Sequence, residues 1–227
     1  MSVRSEETEV PVVRLDRERI LDAVERIVCL EGLATLTMRR IGTELGVDPT
    51  AVYRYFRSKK AMLNALAERL FLKRPELDPE QPWQDRLRAL VWHALGRYRA
   101  HPDLGMLLAQ QDDDIAGLIQ IRELTLALLD EAGLDVEQAA MMSHLLENQV
   151  VGCGLFFAIS DYRRDSPAAD AAAMRRAYAM APEREAPHVV AAAPYLFPET
   201  DRMFNRATDV LIEAIERQAE QNRRRER

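Results

Sequence analysis

The apolar side chains of this sequence recur at intervals of three and four residues along most of its length. Ile20, Val24 and Ile27 form one such stripe, and the segment from Met203 to Ile215 carries another. These intervals place apolar groups on one face of an α-helix, whereas a half-buried strand requires a period of two, which no segment shows. The pattern therefore predicts an all-α protein.

Two short helices around a tight turn are predicted between residues 37 and 60. Thr37 can cap the first helix, and Gly46 supplies the left-handed residue that commonly ends one. Asp48 can cap the second helix, with Pro49 at its first position, where the missing N–H group leaves no bond unmade. A support helix, a glycine turn and a second helix together form a helix-turn-helix.

Polar, aromatic and basic side chains are expected on the outer face of the second helix, because Val52 and Phe56 occupy its inner face. Such side chains suit the major groove of DNA, where arginine commonly reads guanine. Lys59 begins the following helix, where it is either a tolerated surface charge or the partner of a phosphate. The residues predicted to contact DNA are Thr37, Arg39, Pro49, Thr50, Ala51, Tyr53, Arg54, Tyr55 and Lys59.

Four short motifs carry a resemblance to a known family. They are Thr37-x-Arg39-x-Ile41, Leu45-Gly46-Val47, Val52-Tyr53-x-Tyr55-Phe56 and Ser58-Lys59-x-x-Met62-Leu63. From about Leu15 to Phe71 the chain resembles the DNA-binding domain of the TetR-type transcriptional repressors, although Gly42 and Thr50 depart from the usual residues. The resemblance implies an N-terminal three-helix module, a larger helical domain that binds a ligand and dimerises, and a homodimer on a palindromic operator.

Charge is distributed unevenly along the 227 residues. The whole chain has a formal net charge of −6, but residues 37–74 contain nine Lys or Arg and three acids, so this segment carries +6 and the remainder −12. A basic segment is the electrostatic footprint that DNA phosphates require. The distribution therefore favours a DNA-binding module joined to an acidic second domain.

A linker with three prolines, Arg74 to Pro82, separates two helical regions. Before it we expect a mobile arm at residues 1–13 and the helix-turn-helix domain at residues 14–74. After it, residues 83–227 are predicted to form the effector-binding and dimerisation domain. Its long helix begins after Asp135, and its last helix begins near Glu199.

The long helix of the second domain is apolar on nearly all sides between residues 139 and 159, yet it contains His144, Glu147 and Asn148. Buried polar groups need partners, which are either other side chains or a small molecule in a cavity. Apolar walls with few polar groups suit an amphipathic or aromatic effector. Gly152 and Gly154 permit a close approach, either of an internal helix or of a second subunit. The predicted effector residues are Trp92, His93, Met106, Gln110, His144, Glu147 and Asn148.

The sequence offers little support for catalysis. Its four histidines are scattered, and it contains no metal-binding pair, nucleophile elbow or phosphate-binding glycine loop. We therefore predict no catalytic residue, no metal and no cofactor. Two alternatives to a ligand-responsive repressor stay open: a structural or cell-division DNA-binding protein without a ligand, and a helical enzyme whose helix-turn-helix resemblance is accidental.

Two further features predict a cytoplasmic protein. No uncharged apolar run of 18 residues or more could span a membrane, and no signal segment opens the chain. Cys29 and Cys153 lie far apart in apolar helical patterns, which predicts reduced and buried thiols. The predicted partners are an operator in double-stranded DNA, a small-molecule effector and a second copy of the chain, with no membrane.

Overall fold

The structure is a computed structural model, and it describes residues 15–71, 73–101, 104–105, 116–163 and 167–225. Among these residues, helices are the only regular elements. This confirms the predicted all-α class. The α-helices are α1 (Arg17–Glu31), α2 (Met38–Leu45), α3 (Pro49–Tyr53), α4 (Lys59–Phe71), α5 (Trp83–Ala100), α6 (Ala116–Glu131), α7 (Val136–Arg163), α8 (Pro167–Ala179), α9 (Pro187–Ala192) and α10 (Thr200–Arg225). The predicted arm at residues 1–13 lies outside the described residues.

Capping groups fix the helix ends, and the predicted caps Thr37 and Gly46 are among them. The carboxylate of Asp16 accepts a hydrogen bond from the backbone N–H of Arg19 at 2.8 Å, and the hydroxyl of Thr37 accepts one from the N–H of Arg40 at 3.0 Å. Each bond satisfies an N–H that the first turn of a helix leaves free. Gly46 ends α2 in the left-handed conformation, with φ of 66°.

The chain divides into two compact units, Met1–Leu66 and Ala67–Arg227, and the division falls inside α4. The first unit contains α1, α2, α3 and the start of α4. Its core consists of large side chains that are almost fully buried: Ile20, Val24, Ile27, Leu36, Ile41, Val52, Phe56 and Met62. The guanidinium of Arg17 lies 4.4 Å from the centroid of the Phe56 ring, a cation–π contact that covers this core.

In the second unit, α5 packs against α6 and α7, and α10 packs against α7. Leu87, Leu95, Leu129, Leu146 and Ile215 belong to the apolar core between these helices. Polar contacts also join α5 to α10: Gln84 to Glu216 at 2.9 Å, Arg88 to Asp209 at 2.6 Å, and Trp92 to Asn205 at 2.9 Å. The residue numbers rise on α5 as they fall on α10, so these two helices run antiparallel.

The crossing of α5 and α7 depends on a glycine. Gly154 is buried, and a Cβ atom placed on it would lie 2.5 Å from the Cβ atom of Tyr98. Any larger residue would push the two helices apart. Gly152 is exposed and has no neighbouring atom within 4 Å of a Cβ position. The internal contact therefore applies to Gly154, and only Gly152 is left available to a second subunit.

One sequence expectation, that of buried cysteines, needs correction. Cys29 is exposed rather than buried, because the inner face of α1 passes through Val24, Ile27 and Val28. Cys153 is only partly buried. The proline-punctuated segment before α10 forms α9 and a short 3₁₀-helix at Ala193–Tyr195.

Replacement of Gly154 by alanine is expected to lower the free energy of unfolding by about 1–3 kcal/mol, because the added methyl group must displace Tyr98 or separate α5 from α7. Urea denaturation followed by circular dichroism measures the change.

Gly96→Ala is the matched control. Gly96 is exposed on α5 and a Cβ atom there meets nothing within 4 Å. Alanine at this position should raise the free energy of unfolding by about 0.5–1 kcal/mol through helix propensity alone. Equal stability of the two variants would contradict the role assigned to Gly154.

Candidate nucleic-acid interface and ligand cavity

The turn between α2 and α3 is tight enough to require glycine at two positions. Gly46 adopts the left-handed conformation. Gly42 is buried, and a Cβ atom on it would lie 2.8 Å from the carbonyl oxygen of Val47. The backbone N–H of Val47 donates to the carbonyl of Gly42 at 2.9 Å. The glycine at position 42, a departure from the usual residue of the resembled family, therefore fits the close return of the chain in this protein.

The start of α3 is held by Asp48. Its carboxylate accepts hydrogen bonds from both the backbone N–H and the hydroxyl of Thr50, at 2.8 and 2.6 Å. These bonds lower the pKa of Asp48, the hydroxyl bond contributing more than the backbone bond. Because the Thr50 hydroxyl already donates its proton to Asp48, it can offer DNA only its acceptor lone pairs.

Beyond Thr50, the predicted DNA-contacting residues differ in exposure. Tyr53 is 51 % exposed, and Arg54 and Arg39 are also exposed. Pro49 and Ala51 are half-buried in the first turn of α3. The strongest candidates for contact with base edges or phosphates are therefore Tyr53, Arg54 and Arg39.

Two of the predicted DNA-contacting side chains also hold the module together. The hydroxyl of Tyr55 donates to the carbonyl of Leu15, forty residues earlier in the chain. The ammonium group of Lys59 donates to the carbonyl of Leu36 at 2.6 Å and is partly buried. Lys59 therefore ties the start of α4 to the segment before α2, a structural role that neither alternative drawn from the sequence included.

Arg40 forms an ion-pair cluster that sequence reasoning missed. Its guanidinium contacts Glu31 at 2.5 Å and Glu44 at 2.9 Å. The hydrogen bond from Arg40 lowers the pKa of Glu31, and the two carboxylates raise the pKa of Arg40. Part of the positive charge counted in residues 37–74 is thus neutralised within the module. Arg40 and Glu44 lie four residues apart on a helix, and this spacing could have predicted their ion pair from the sequence.

A cavity of about 120 Å³ lies within the second unit. It is lined mainly by apolar side chains of α5, α6 and α7, and Phe71 at the end of α4 also contributes. The lining residues are Phe71, Leu90, Val91, His93, Ala94, Tyr98, Leu118, Ile121, Arg122, Thr125, Ser143, Leu146, Glu147, Val150 and Val151. Apolar walls with a few polar groups are typical of small-molecule sites.

Only two of the predicted effector residues, His93 and Glu147, line this cavity. Trp92 turns instead toward α10, where its indole N–H donates to Asn205 and its ring stacks edge-on against Phe204. His144 and Asn148 are exposed on the outer side of α7. Met106 and Gln110 lie outside the described residues. Glu147 is exposed at the cavity edge rather than buried.

Sequence reasoning missed Tyr98 and Ser143, which are 8 % and 7 % exposed and line the cavity. Burial raises the pKa of Tyr98 to about 12, so its hydroxyl is protonated at neutral pH. The ring of Tyr98 packs edge-on against Phe71, with centroids 5.0 Å apart. A signal for Ser143 was available, because it precedes Leu146 by three residues and Val150 by seven on one face of α7.

His93 lines the cavity and also forms a hydrogen bond with the backbone just after α4. Its ring Nε2 lies 3.0 Å from the carbonyl oxygen of Lys73. A carbonyl only accepts, so this nitrogen carries a proton. Burial lowers the pKa of His93, with the charges of Arg97 and Lys73 acting in the same direction. The imidazole is therefore neutral near pH 7.

The described residues contain no cluster of three or more side chains able to hold a metal ion. None of the helices that the structure describes is long and apolar enough to cross a lipid bilayer.

Comparison with known proteins identifies the family. Residues 20–66 match the profile of the bacterial regulatory proteins of the tetR family, and residues 74–219 match the tetracyclin repressor-like C-terminal domain. The second match alone covers more than half of the chain. The chain therefore belongs to the TetR family.

Two curated relatives illustrate the similarity. The HTH-type transcriptional repressor DrrR1 of Streptomyces coeruleorubidus is 30% identical over 148 residues, which cover 63% of this chain and 53% of the relative. The class D tetracycline repressor protein of Escherichia coli is 31% identical over 94 residues, covering 39% of this chain and 43% of the relative. The chain thus spans about half of the length of the curated relatives it matches.

The fold is shared with solved structures. The crystal structure of the TetR family protein ActR of Streptomyces coelicolor in complex with actinorhodin has a TM-score of 0.79. The alignment covers 89% of this chain and 96% of ActR at 22% identity. Apo ActR gives a TM-score of 0.78 at 23% identity, over 91% of this chain and 97% of ActR.

Lys59→Met is expected to lower the free energy of unfolding by about 1–3 kcal/mol, because the carbonyl of Leu36 loses its charged donor. Thermal denaturation of the purified protein measures the loss.

Lys60→Met is the control, since Lys60 is the adjacent lysine and is exposed. It should change the stability by less than about 0.5 kcal/mol, as is usual for surface substitutions. If both variants unfolded at the wild-type temperature, the bond from Lys59 to Leu36 would have no structural role.

Proposed function

We propose that this protein is a ligand-responsive transcriptional repressor that binds a palindromic operator as a homodimer and releases it when a small molecule binds. The observation that carries the proposal is the presence of an exposed basic and aromatic helix-turn-helix in one unit and a separate apolar cavity in the other. A structural DNA-binding protein without a ligand has no need of such a cavity. Because the partner is operator DNA, the protein acts in the cytoplasm.

The relatives support this proposal. DrrR1 is named as a transcriptional repressor, and the class D relative as a tetracycline repressor. ActR was crystallised with actinorhodin. Control of DNA binding by a small molecule is accordingly the behaviour that we propose for this chain, with its own ligand and operator.

For DNA binding, α3 enters the major groove. We place Arg54 and Tyr53 on base edges and phosphates, because both are exposed on or just after α3. Arg39 reaches the rim of the groove from α2. The remaining proposed contacts, from Thr37, Pro49, Thr50, Ala51, Tyr55 and Lys59, position the module and contribute contacts with the backbone.

Arg54→Ala is expected to relax sequence preference, because one arginine paired with guanine supplies about 1–3 kcal/mol of discrimination. The operator is first selected from a random duplex pool. Gel-shift titrations then compare the selected operator with a variant substituted at each guanine.

Lys60→Ala serves as the control for charge. It removes one positive charge from the same module, so it should weaken binding to every sequence alike and flatten the dependence on salt. If Arg54→Ala kept the wild-type preference among operator variants, the orientation proposed for α3 would be wrong.

Dimerisation is proposed through α7 and α10. Met141, Leu145 and Gly152 are exposed along one face of α7, with intervals of four and seven residues. Met203 and Val210 are exposed seven residues apart on α10. Two copies of both helices would form a four-helix interface, as the family resemblance implies. A two-fold dimer places its reading helices about 34–36 Å apart, in successive major grooves.

Val210→Asp is expected to give monomers with weak operator affinity, because Val210 is 43% exposed in the structure and a carboxylate there would be buried at the interface. Analytical ultracentrifugation at micromolar concentration measures the assembly state.

Val136→Asp provides the comparison. Val136 is exposed in the first turn of α7, off the proposed stripe, and an acidic residue suits a helix N-terminus. This variant should stay dimeric. A wild-type protein that sediments as a monomer would refute the proposed interface.

A further inference from the structure

Two residues that line the cavity carry hydroxyl groups without a hydrogen-bond partner within the part of the chain that the structure describes. They are Tyr98 on α5 and Ser143 on α7, and both residues are more than nine-tenths buried. Buried hydroxyls are almost always hydrogen-bonded in folded proteins, since an unpaired one loses its bonds to water without replacement. Because both residues line the same cavity, their hydroxyl groups are available to a polar group of a ligand.

The other polar side chains on the cavity wall are already paired. His93 bonds to the carbonyl of Lys73. The hydroxyl of Thr125 donates to the carbonyl of Ile121 in its own helix, at 2.9 Å. Arg122 and Glu147 form an ion pair at 2.8 Å.

This pairing defines the charge that the cavity accepts. Arg122 and Glu147 neutralise each other at its edge, and neither Tyr98 nor His93 contributes a charge near neutral pH. A charged ligand would lose its hydration without gaining an opposite charge. The chemistry of the wall therefore favours a ligand without net charge.

The size of the cavity suits a small ligand. Its volume is about 120 Å³, and an engineered apolar cavity of about 150 Å³ binds benzene. The ring of Tyr98 and that of Phe71 form one wall, at a T-shaped angle of 71°. Aromatic walls of this kind pack well against the edge or face of another ring.

We propose that the cavity binds a neutral single-ring aromatic molecule that carries a hydroxyl or carbonyl group, and that Ser143 and Tyr98 anchor this group. The inference deepens the proposed function, because it names the chemical class of the effector and the residues that determine specificity. Either hydroxyl can donate to a carbonyl oxygen or exchange hydrogen bonds with a phenolic hydroxyl.

The test compares phenol with toluene, which have nearly the same shape but differ in one hydroxyl group. Binding to the full-length protein without DNA is measured by ligand-detected NMR titration. Wild type should bind phenol more tightly than toluene. Ser143→Ala and Tyr98→Phe should each weaken phenol binding by about threefold to tenfold, the equivalent of one hydrogen bond, and should leave toluene binding unchanged.

Thr125→Val is the matched control. It removes a hydroxyl from the same cavity at nearly constant volume, but that hydroxyl already bonds within its own helix. The preference of this variant for phenol over toluene should fall by less than that of Ser143→Ala, because the Thr125 hydroxyl already has its partner. Thermal melts followed by circular dichroism identify any of the three variants that fails to fold. Tyr98→Phe and Ser143→Ala test the two proposed hydrogen bonds independently of each other.

Three results would overturn the inference: equal affinity of wild type for phenol and toluene, an unchanged preference in both hydroxyl variants, or the same loss in Thr125→Val as in Ser143→Ala. A final measurement adds phenol to the complex of protein and selected operator. If phenol binds through Ser143 and Tyr98 but does not release DNA, the proposed binding site is supported, and control of DNA binding by this ligand is contradicted. If another compound releases DNA and phenol does not bind, control of DNA binding by a small molecule is supported, and the ligand class inferred for the cavity is rejected.

Discussion

The side chain of Tyr98 occupies the place where α5, α7 and the end of α4 meet in the second unit. Its Cβ atom faces Gly154 across the helix crossing, its ring packs on Phe71, and it also lies against Gly105. The remaining face of the residue lines the cavity. A side chain at position 154 would move Tyr98 and with it the cavity wall, so the close approach of α5 and α7 sets the shape of the proposed ligand site.

The helix-turn-helix was predictable because its determinants are local. Capping by Thr37 and Asp48 and the left-handed Gly46 involve residues at most four positions apart, so the sequence displays them directly. The roles of Lys59 and Tyr55 were not predictable in the same way. Their partners are carbonyl groups of Leu36 and Leu15, and nothing in a local pattern marks a distant carbonyl as an acceptor.

The sequence predicted an effector site on α5 and α7, two of the helices that line the cavity, but the face of α7 that lines it is not the predicted one. This helix is apolar on nearly all sides, so its period does not show which side faces α5. Gly154 and Tyr98 set that rotation through a contact between distant parts of the chain. Neighbouring residues of a helix point about 100° apart, which is why Ser143 lines the cavity and His144 is exposed.

The cavity and the end of α4 share two contacts within the second unit. Phe71, the last residue of α4, forms part of the cavity wall. His93, another wall residue, holds the carbonyl of Lys73 two residues further on.

A ring inserted beside Tyr98 and His93 would press on Phe71. It would also compete with the carbonyl of Lys73 for the hydrogen bond of His93. Coupling between two sites is commonly worth about 1–3 kcal/mol. The net contribution of one hydrogen bond is about 0.5–1.5 kcal/mol. The free energy changed by losing the bond to Lys73 and repacking Phe71 is therefore comparable to such a coupling energy, and it acts at the end of α4. The first half of α4 belongs to the core of the first unit.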